Sequence, residues 1–387
     1  MFKMISNDDF INSGIHLNNL SEAFHIELKQ PFRNKLFNKI EKKFNYKKAS
    51  ESLKISFSHY YHLKSGRYAI KAPMLIKLLK LAKIRVKECE RNIALIKSNR
   101  GSKAKLVLPL KPSPELASLL GHCFGDGSIT FLKREFHYMN TDENLVEKVK
   151  YYIKRVFGIE IIQAKKNRIT CSTLVGELLI LIGAPFGDKL RSEKNVPKWI
   201  YHGTVEIRKA FLMAVFDDDG SVLRTKKYAS KNINLHFARY SSKKENLRKL
   251  LTSIKKLLRS LGIRVLGPYQ RSTYSKKGRT RCLMYILISD RENMKRFLKK
   301  VGFFHRAKLD KLRELVGRDY SYTKFGHEAE MNDILDMVSK GDISTLEIAE
   351  YFNISRKAAY KRLRKLEKQG CVSRKKIRSN LVLWRII

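Results

Sequence analysis

Two stretches constrain this chain more than any others: PELASLLGHCFGDGSIT, from Pro114 to Thr130, and VEIRKAFLMAVFDDDGSV, from Val205 to Val222. Each reads as a helix that runs into an acidic residue and then Gly-Ser. Ser113 is placed to cap the first, with Pro114 at its first helical position and Glu115 in the first turn. Thr204 is placed to cap the second, with Glu206 close behind. Small residues recur four apart, Ala117, Gly121 and Gly125 in one helix and Ala210 and Ala214 in the other. Residues at that spacing share a helix face, so each helix offers a flat strip on which the other backbone can approach closely.

Packed strip to strip, the helices end side by side, which brings Asp126 near Asp219. A helix C-terminus carries partial negative charge and disfavours a carboxylate. A second carboxylate nearby makes this worse, and Asp217 and Asp218 add to it. A divalent cation, Mg²⁺ or Mn²⁺, removes the conflict, because such ions take carboxylates, waters and phosphate oxygens. A metal held between two carboxylates suits phosphodiester hydrolysis.

LLGHCFGDG (Leu119 to Gly127) and LMAVFDDDG (Leu212 to Gly220) resemble the paired nine-residue motifs of LAGLIDADG homing endonucleases. GAPFGDK, then VPKWI, then a motif helix resembles the connection between that family's repeats, and SSKKENLRKLLTSIKKLLRSLGI with NMKRFLKKVGF resembles its second repeat. The resemblance spans roughly residues 112–316. It implies an α+β fold: a duplicated αββαββα pseudo-dimer with saddle-shaped antiparallel sheets whose polar faces enter the major groove of double-stranded DNA. It also implies that Asp126 and Asp219 are catalytic and hold metal, with the peptide carbonyls of Gly125 and Asp218 completing the coordination. An assisting Lys or Gln is usual in the family, and Lys166 and Arg281 are the guesses for it. The first motif departs from the pattern in having Phe124 where an acid is frequent, with His122 nearby.

Lys+Arg of 81 against Asp+Glu of 36 gives a net charge of +45, which points to a polyanionic partner, nucleic acid first. No stretch reaches the ~18 uninterrupted apolar residues of a membrane span. The start, MFKMISNDDF, lacks a signal-peptide core, and five scattered cysteines without a Cys-x-x-Cys pair suit a reducing compartment. A monomer in the cytoplasm, associated with the nucleoid, is the expectation.

Four units follow. Residues 1–100 read as helical, and Lys47 to Ile84 within them resembles the helix-turn-helix of phage-repressor-type domains: a helix over Ala49 to Leu53, a turn at Lys54-Ile55, then a Ser56-capped helix exposing Ser58, His59, Tyr61 and His62. A bundle that merely packs on the rest is the alternative. Residues 112–202 and 203–316 are the repeats, and 328–387 resemble a winged helix. There, between Arg356 and Arg378, stand eleven Lys or Arg and one acid, Glu367. The candidate DNA contacts are Arg356, Lys357, Tyr360 and Lys361 on that helix. Others are the hairpin tips Lys165, Lys166, Arg168, Lys276, Lys277 and Arg279, and the strand positions His137, Asn234, His236 and Arg271. The leading function is site-specific double-strand cleavage. A regulator on a cleavage-inactive scaffold and an RNA-splicing maturase are the alternatives. An intein is disfavoured by the lack of a terminal His-Asn and by the initial Met.

Overall fold

The computed structural model describes residues 7–98, 103–161, 167–224, 231–276, 278–317, 327–352, 354–378 and 381–387. The fold is α+β with antiparallel sheets throughout. The first unit holds α1 (Asn7–Ser13), β1 (Phe24–Leu28), α2 (Gln30–Glu41), α3 (Tyr46–Leu53), α4 (Phe57–Ser65), β2 (Ile70–Lys71), α5 (Ala72–Leu81), α6 (Val86–Glu90), β3 (Ile93–Ser98) and β4 (Lys103–Ala104). The purely helical expectation for this unit is corrected: its short strands form a sheet in the order β2-β1-β3-β4. These strands escape a periodicity reading because they are brief, and β1 alternates apolar Phe24, Ile26 and Leu28 with His25 and Glu27 over one short run. The two helices expected on either side of the turn are α3 and α4. Lys54 supplies the left-handed turn at φ 53°, and the Ser56 side chain accepts from the His59 amide. Ser58, His59 and Tyr61 are exposed, and His62 is half-buried.

The first repeat contains α7 (Pro114–Phe124), β5 (Ser128–Ile129), β6 (Phe136–Met139), α8 (Glu143–Phe157), β7 (Arg168–Cys171) and α9 (Thr173–Leu181), and the short α10 (Lys198–His202) leads out of it. The second contains α11 (Val205–Asp219), β8 (Gly220–Arg224), β9 (Lys231–Tyr240), α12 (Lys244–Ser260), β10 (Leu266–Lys276), β11 (Arg279–Ser289) and α13 (Arg291–Lys300), followed by α14 (Arg306–Gly317). The second sheet runs β10-β11-β9-β8 and the first β5-β6-β7. The counterpart of β10 in the first repeat falls partly on residues 162–166, outside the described residues. Helix α12 shows why these elements form. Leu247, Leu250, Leu251, Ile254, Leu257 and Leu258 are buried on one face. Each such side chain contributes roughly 1.5–3 kcal/mol, so the stripe outweighs any propensity term.

The caps expected from the sequence are in place. Ser113 accepts from the Leu116 amide and Thr204 from the Ile207 amide. The small-residue strip is also real: a Cβ on Gly121 would lie 2.6 Å from the Phe211 carbonyl oxygen and 2.8 Å from the Ala214 methyl. Only glycine permits α7 and α11 to approach so closely. One continuous core joins the first unit to both repeats, with Phe10 edge-on to Trp199 at 5.1 Å.

The last unit has its own core, which includes Ile334, Leu363 and Trp384. It consists of α15 (His327–Ser339), β12 (Ile343–Ser344), α16 (Thr345–Tyr351), α17 (Arg356–Lys368), β13 (Val372–Arg378) and β14 (Leu381–Ile386), with the sheet ordered β12-β14-β13. Two helices and a hairpin in this order make a winged helix. The indole of Trp384 donates to the Thr345 hydroxyl at 2.9 Å and ties the wing to α16.

Candidate functional site

The two motif helices converge where the sequence placed their acids. Asp126 follows the Gly125 cap of α7, and Asp219 is the last residue of α11. The junction is asymmetric. A Cβ on Gly125 would overlap the Asp218 side chain, so the missing methyl of one repeat makes room for a carboxylate of the other. That carboxylate is fully buried. It accepts from the Asp126 amide at 3.0 Å, from the Tyr138 hydroxyl at 2.9 Å and from His122 Nδ1 at 3.0 Å. Sequence reading missed this role of Asp218 and gave its place only to the peptide carbonyl. The departure at His122, noted in the motif, was the available signal.

Desolvation, then the charge of Asp126, pushes the Asp219 carboxyl up to about 7, against the pull of Lys189. Asp126 is exposed as a residue, but protein packed around its carboxyl desolvates it, and Asp218 adds repulsion, so it too lies above the usual carboxylate range. Asn140 Nδ2 donates to Asp126 Oδ2 at 2.9 Å and fixes its rotamer.

Two lysines cover the carbonyls at the helix ends. Lys189 Nζ donates to the carbonyl of Gly125 and, at 2.9 Å, to that of Gly127. Lys308 Nζ donates to the carbonyls of Phe216 (3.3 Å), Asp217 (2.5 Å) and Asp218 (3.2 Å). Desolvation lowers the pKa of both ammonium groups while the neighbouring acids oppose it. Each is held from behind. Arg239, buried on β9, donates to the Lys189 carbonyl. Asp217 accepts from the amides of Phe304 (2.8 Å) and His305 (3.0 Å), just ahead of the helix that carries Lys308. Asp217 is thus a buried staple, with desolvation raising its pKa. Of the sequence guesses, Lys166 lies outside the described residues, and Arg281 sits on β11 across from Tyr240. Lys189 ends the GAPFGDK segment and was within reach of a sequence reading; nothing in the local sequence marked Lys308.

The candidate DNA contacts divide. His236 stacks on Tyr285 with ring centroids 5.3 Å apart, and Arg271 Nη1 approaches its Nε2 at 3.2 Å. Arg168 approaches His137 at 3.2 Å on the first sheet. Desolvation, then the adjacent guanidinium, lowers the pKa of both histidines, which favours their neutral rings. Asn234 is corrected: it lies on the polar face of β9 but is only 5% exposed, because β8 and β11 flank it on both sides. Lys276 and Arg279 are exposed at the hairpin end, and Arg279 folds back to the Tyr240 hydroxyl at 3.2 Å. Lys165 and Lys277 lie outside the described residues. On α17, Arg356, Lys357, Tyr360 and Lys361 are exposed opposite buried Ala359, Leu363 and Leu366.

Among the described residues no cluster of three or more His, Cys, Asp or Glu is placed to hold a metal, and no helix is long and apolar enough to cross a membrane. The fold is a duplicated α+β scaffold followed by a C-terminal helix-turn-helix module. Residues 206–302 match the family model of a LAGLIDADG-like domain, and residues 330–379 match that of an HTH domain. The chain is similar to the tRNA-splicing ligase RtcB of Methanopyrus kandleri, 31% identical over 208 residues, covering 49% of this chain and 20% of that protein. It is 26% identical to the ligase of the same name from Pyrococcus furiosus, covering 58% of this chain and 24% of that one. A replication factor C small subunit of Methanocaldococcus jannaschii is 22% identical, covering 62% of this chain and 14% of that protein. The chain therefore spans about a quarter or less of the length of these relatives. Among solved structures, full-length DUF199/WhiA from Thermatoga maritima aligns with a TM-score of 0.31 at 14% identity, covering 66% of this chain and 92% of that one.

Proposed function

We propose that this protein is a homing-type, site-specific DNA endonuclease that hydrolyses one phosphodiester bond in each strand. The observation that carries the reading is the pair Asp126 and Asp219 at two converging helix C-termini, a placement whose repulsion and desolvation Lys189 and Lys308 only partly offset, so that a divalent cation would be welcome there. The donor set suits a hard divalent ion such as Mg²⁺ or Mn²⁺. It is all oxygen, and the carbonyls of Gly125 and Asp218 already attract ammonium groups. Asp126, Asp219 and those two carbonyls would hold the ion, which supplies an activated water and a stabilised leaving oxygen when bound. The protein's own groups do the rest. Asn140 and the Asp218 network orient Asp126. Lys189 and Lys308 hold positive charge beside the acids, where a scissile phosphate would develop negative charge.

The comparisons support the homing character in one respect. A ligase and a replication factor each share a segment with this chain that makes up a minor part of their own length. A segment shared by such differently named proteins behaves as a separable unit, independent of either named activity. The HTH domain, with its basic exposed helix face, equally suits a DNA-binding regulator. The acids favour the endonuclease, because carboxylates facing phosphates weaken binding unless they also do chemistry. Incubation with a randomised plasmid library and Mg²⁺, followed by sequencing of the ends, tests the reading. Linear products sharing a common sequence support it, and binding without cutting in any divalent metal favours the regulator.

A further inference from the structure

A pocket of roughly 440 Å³ is lined by the cations Arg191, Lys243 and Arg279. Its remaining lining residues, Tyr240, Ser241, Ser242 and Thr280, all carry hydroxyls. No carboxylate lines it. The Ser241 hydroxyl oxygen is buried and without a hydrogen-bond partner, an expensive state for a group that can donate as well as accept. Arg279 is braced by the Tyr240 hydroxyl and lies over the same ring, 5.6 Å from its centroid. Arg191 and Lys243 pair with Asp188 and Glu193, whose side chains are 41% and 62% exposed. Such surface pairs contribute little and yield readily to a better anion.

The pocket is mechanically tied to the acids. Arg191 closes the 3₁₀ turn Lys189–Arg191, which begins with the ammonium on the Gly125 and Gly127 carbonyls just past α7. Arg239, next in sequence to Tyr240, donates to the backbone of the same turn. An anion drawn to Arg191 therefore acts on the element that positions Lys189.

We propose that this pocket seats one backbone phosphate of duplex DNA and so anchors the strand beside Lys189. The proposal rests on the DNA-cleavage reading for its ligand, but its test does not depend on cutting. A fluorescein-labelled duplex of random sequence is titrated in EDTA over a range of salt with wild type, Arg191→Gln, Lys243→Gln and the double variant. Each phosphate contact contributes about 0.9 to the slope of log K against log salt. Because both cations serve one phosphate, either single variant leaves it neutralised and is expected to weaken binding at a nearly unchanged slope, whereas the double variant, left only with the Arg279 braced on Tyr240, is expected to be shallower than wild type by about 0.9. Ser241→Ala, which keeps every charge, is expected to weaken binding severalfold at an unchanged slope.

Melting curves confirm that the variants are folded. An unchanged slope in the double variant, or a fall of about 0.9 in each single variant that sums in the double, overturns the proposal. A second arm titrates inorganic phosphate alone against melting temperature. Stabilisation of the wild type that vanishes in the variants, with DNA slopes unaltered, assigns the pocket to a free anion and also overturns it. A protein that gives the expected slopes yet never cuts DNA upholds the pocket while refuting the endonuclease reading.

Discussion

At position 125 a glycine and at position 218 an aspartate fill one volume between the repeats, so the two-fold relation is broken at the atoms nearest the chemistry. Gly125→Ala forces a methyl into the buried Asp218 side chain and is expected to cost roughly 1–3 kcal/mol. Combined with Asp218→Gly, which removes the Cβ as well as the carboxylate, the clash disappears, so denaturant melts of the two single variants and the double should show coupling well above 0.5 kcal/mol. Simple additivity would mean that the contact is not the constraint. Asp219 carries a second residue-scale consequence. Its folded carboxyl titrates at about 7, whereas an unfolded one does so near 3.9. The folded state binds the proton more tightly, so this contribution to stability is full below about pH 4 and lost as the pH climbs through about 7. Asp219→Asn should therefore gain on the order of 1–3 kcal/mol over wild type near pH 8 and almost nothing near pH 4. An equal gain at both pH values in urea melts would show that charge is not the cause.

Elements, rather than single side chains, bring the lysines to the acids. Asp217 holds the amides of Phe304 and His305, and α14 then delivers Lys308. Asp217→Ala leaves those amides without their acceptor and is expected to cost roughly 1–3 kcal/mol per amide left buried. The same substitution at exposed Asp126 should cost far less, and equal losses at the two positions would refute the staple. What the sequence revealed follows this division between local and long-range cause. Caps at Ser113, Thr204 and Ser355 and stops at Gly158, Gly262 and Gly370 were legible, because each is decided by neighbours in the chain. So was the pairing of α7 with α11, because the small-residue strip is written in one periodicity. The Asp218 network was not, since His122, Tyr138 and Asp126 meet it across more than eighty intervening positions or nearly so, through packing alone. Asn234 misled for a related reason: alternation gives the face of a strand, but flanking strands decide its exposure.

For the whole molecule, a net charge of +45 favours a polyanionic partner. The winged helix folds on a core of its own. Cleavage by the two repeats is the claim on which the rest depends, and strand-by-strand analysis tests it directly. Wild type, Asp126→Asn and Asp219→Asn are incubated with Mg²⁺ and a randomised plasmid library, and nicked and linear products are sequenced. The account predicts linear products with a shared sequence from wild type, and from each variant a loss of double-strand cutting by at least two orders of magnitude, about the scale of removing one electrostatic anchor. Unaltered double-strand cutting by either variant would contradict it.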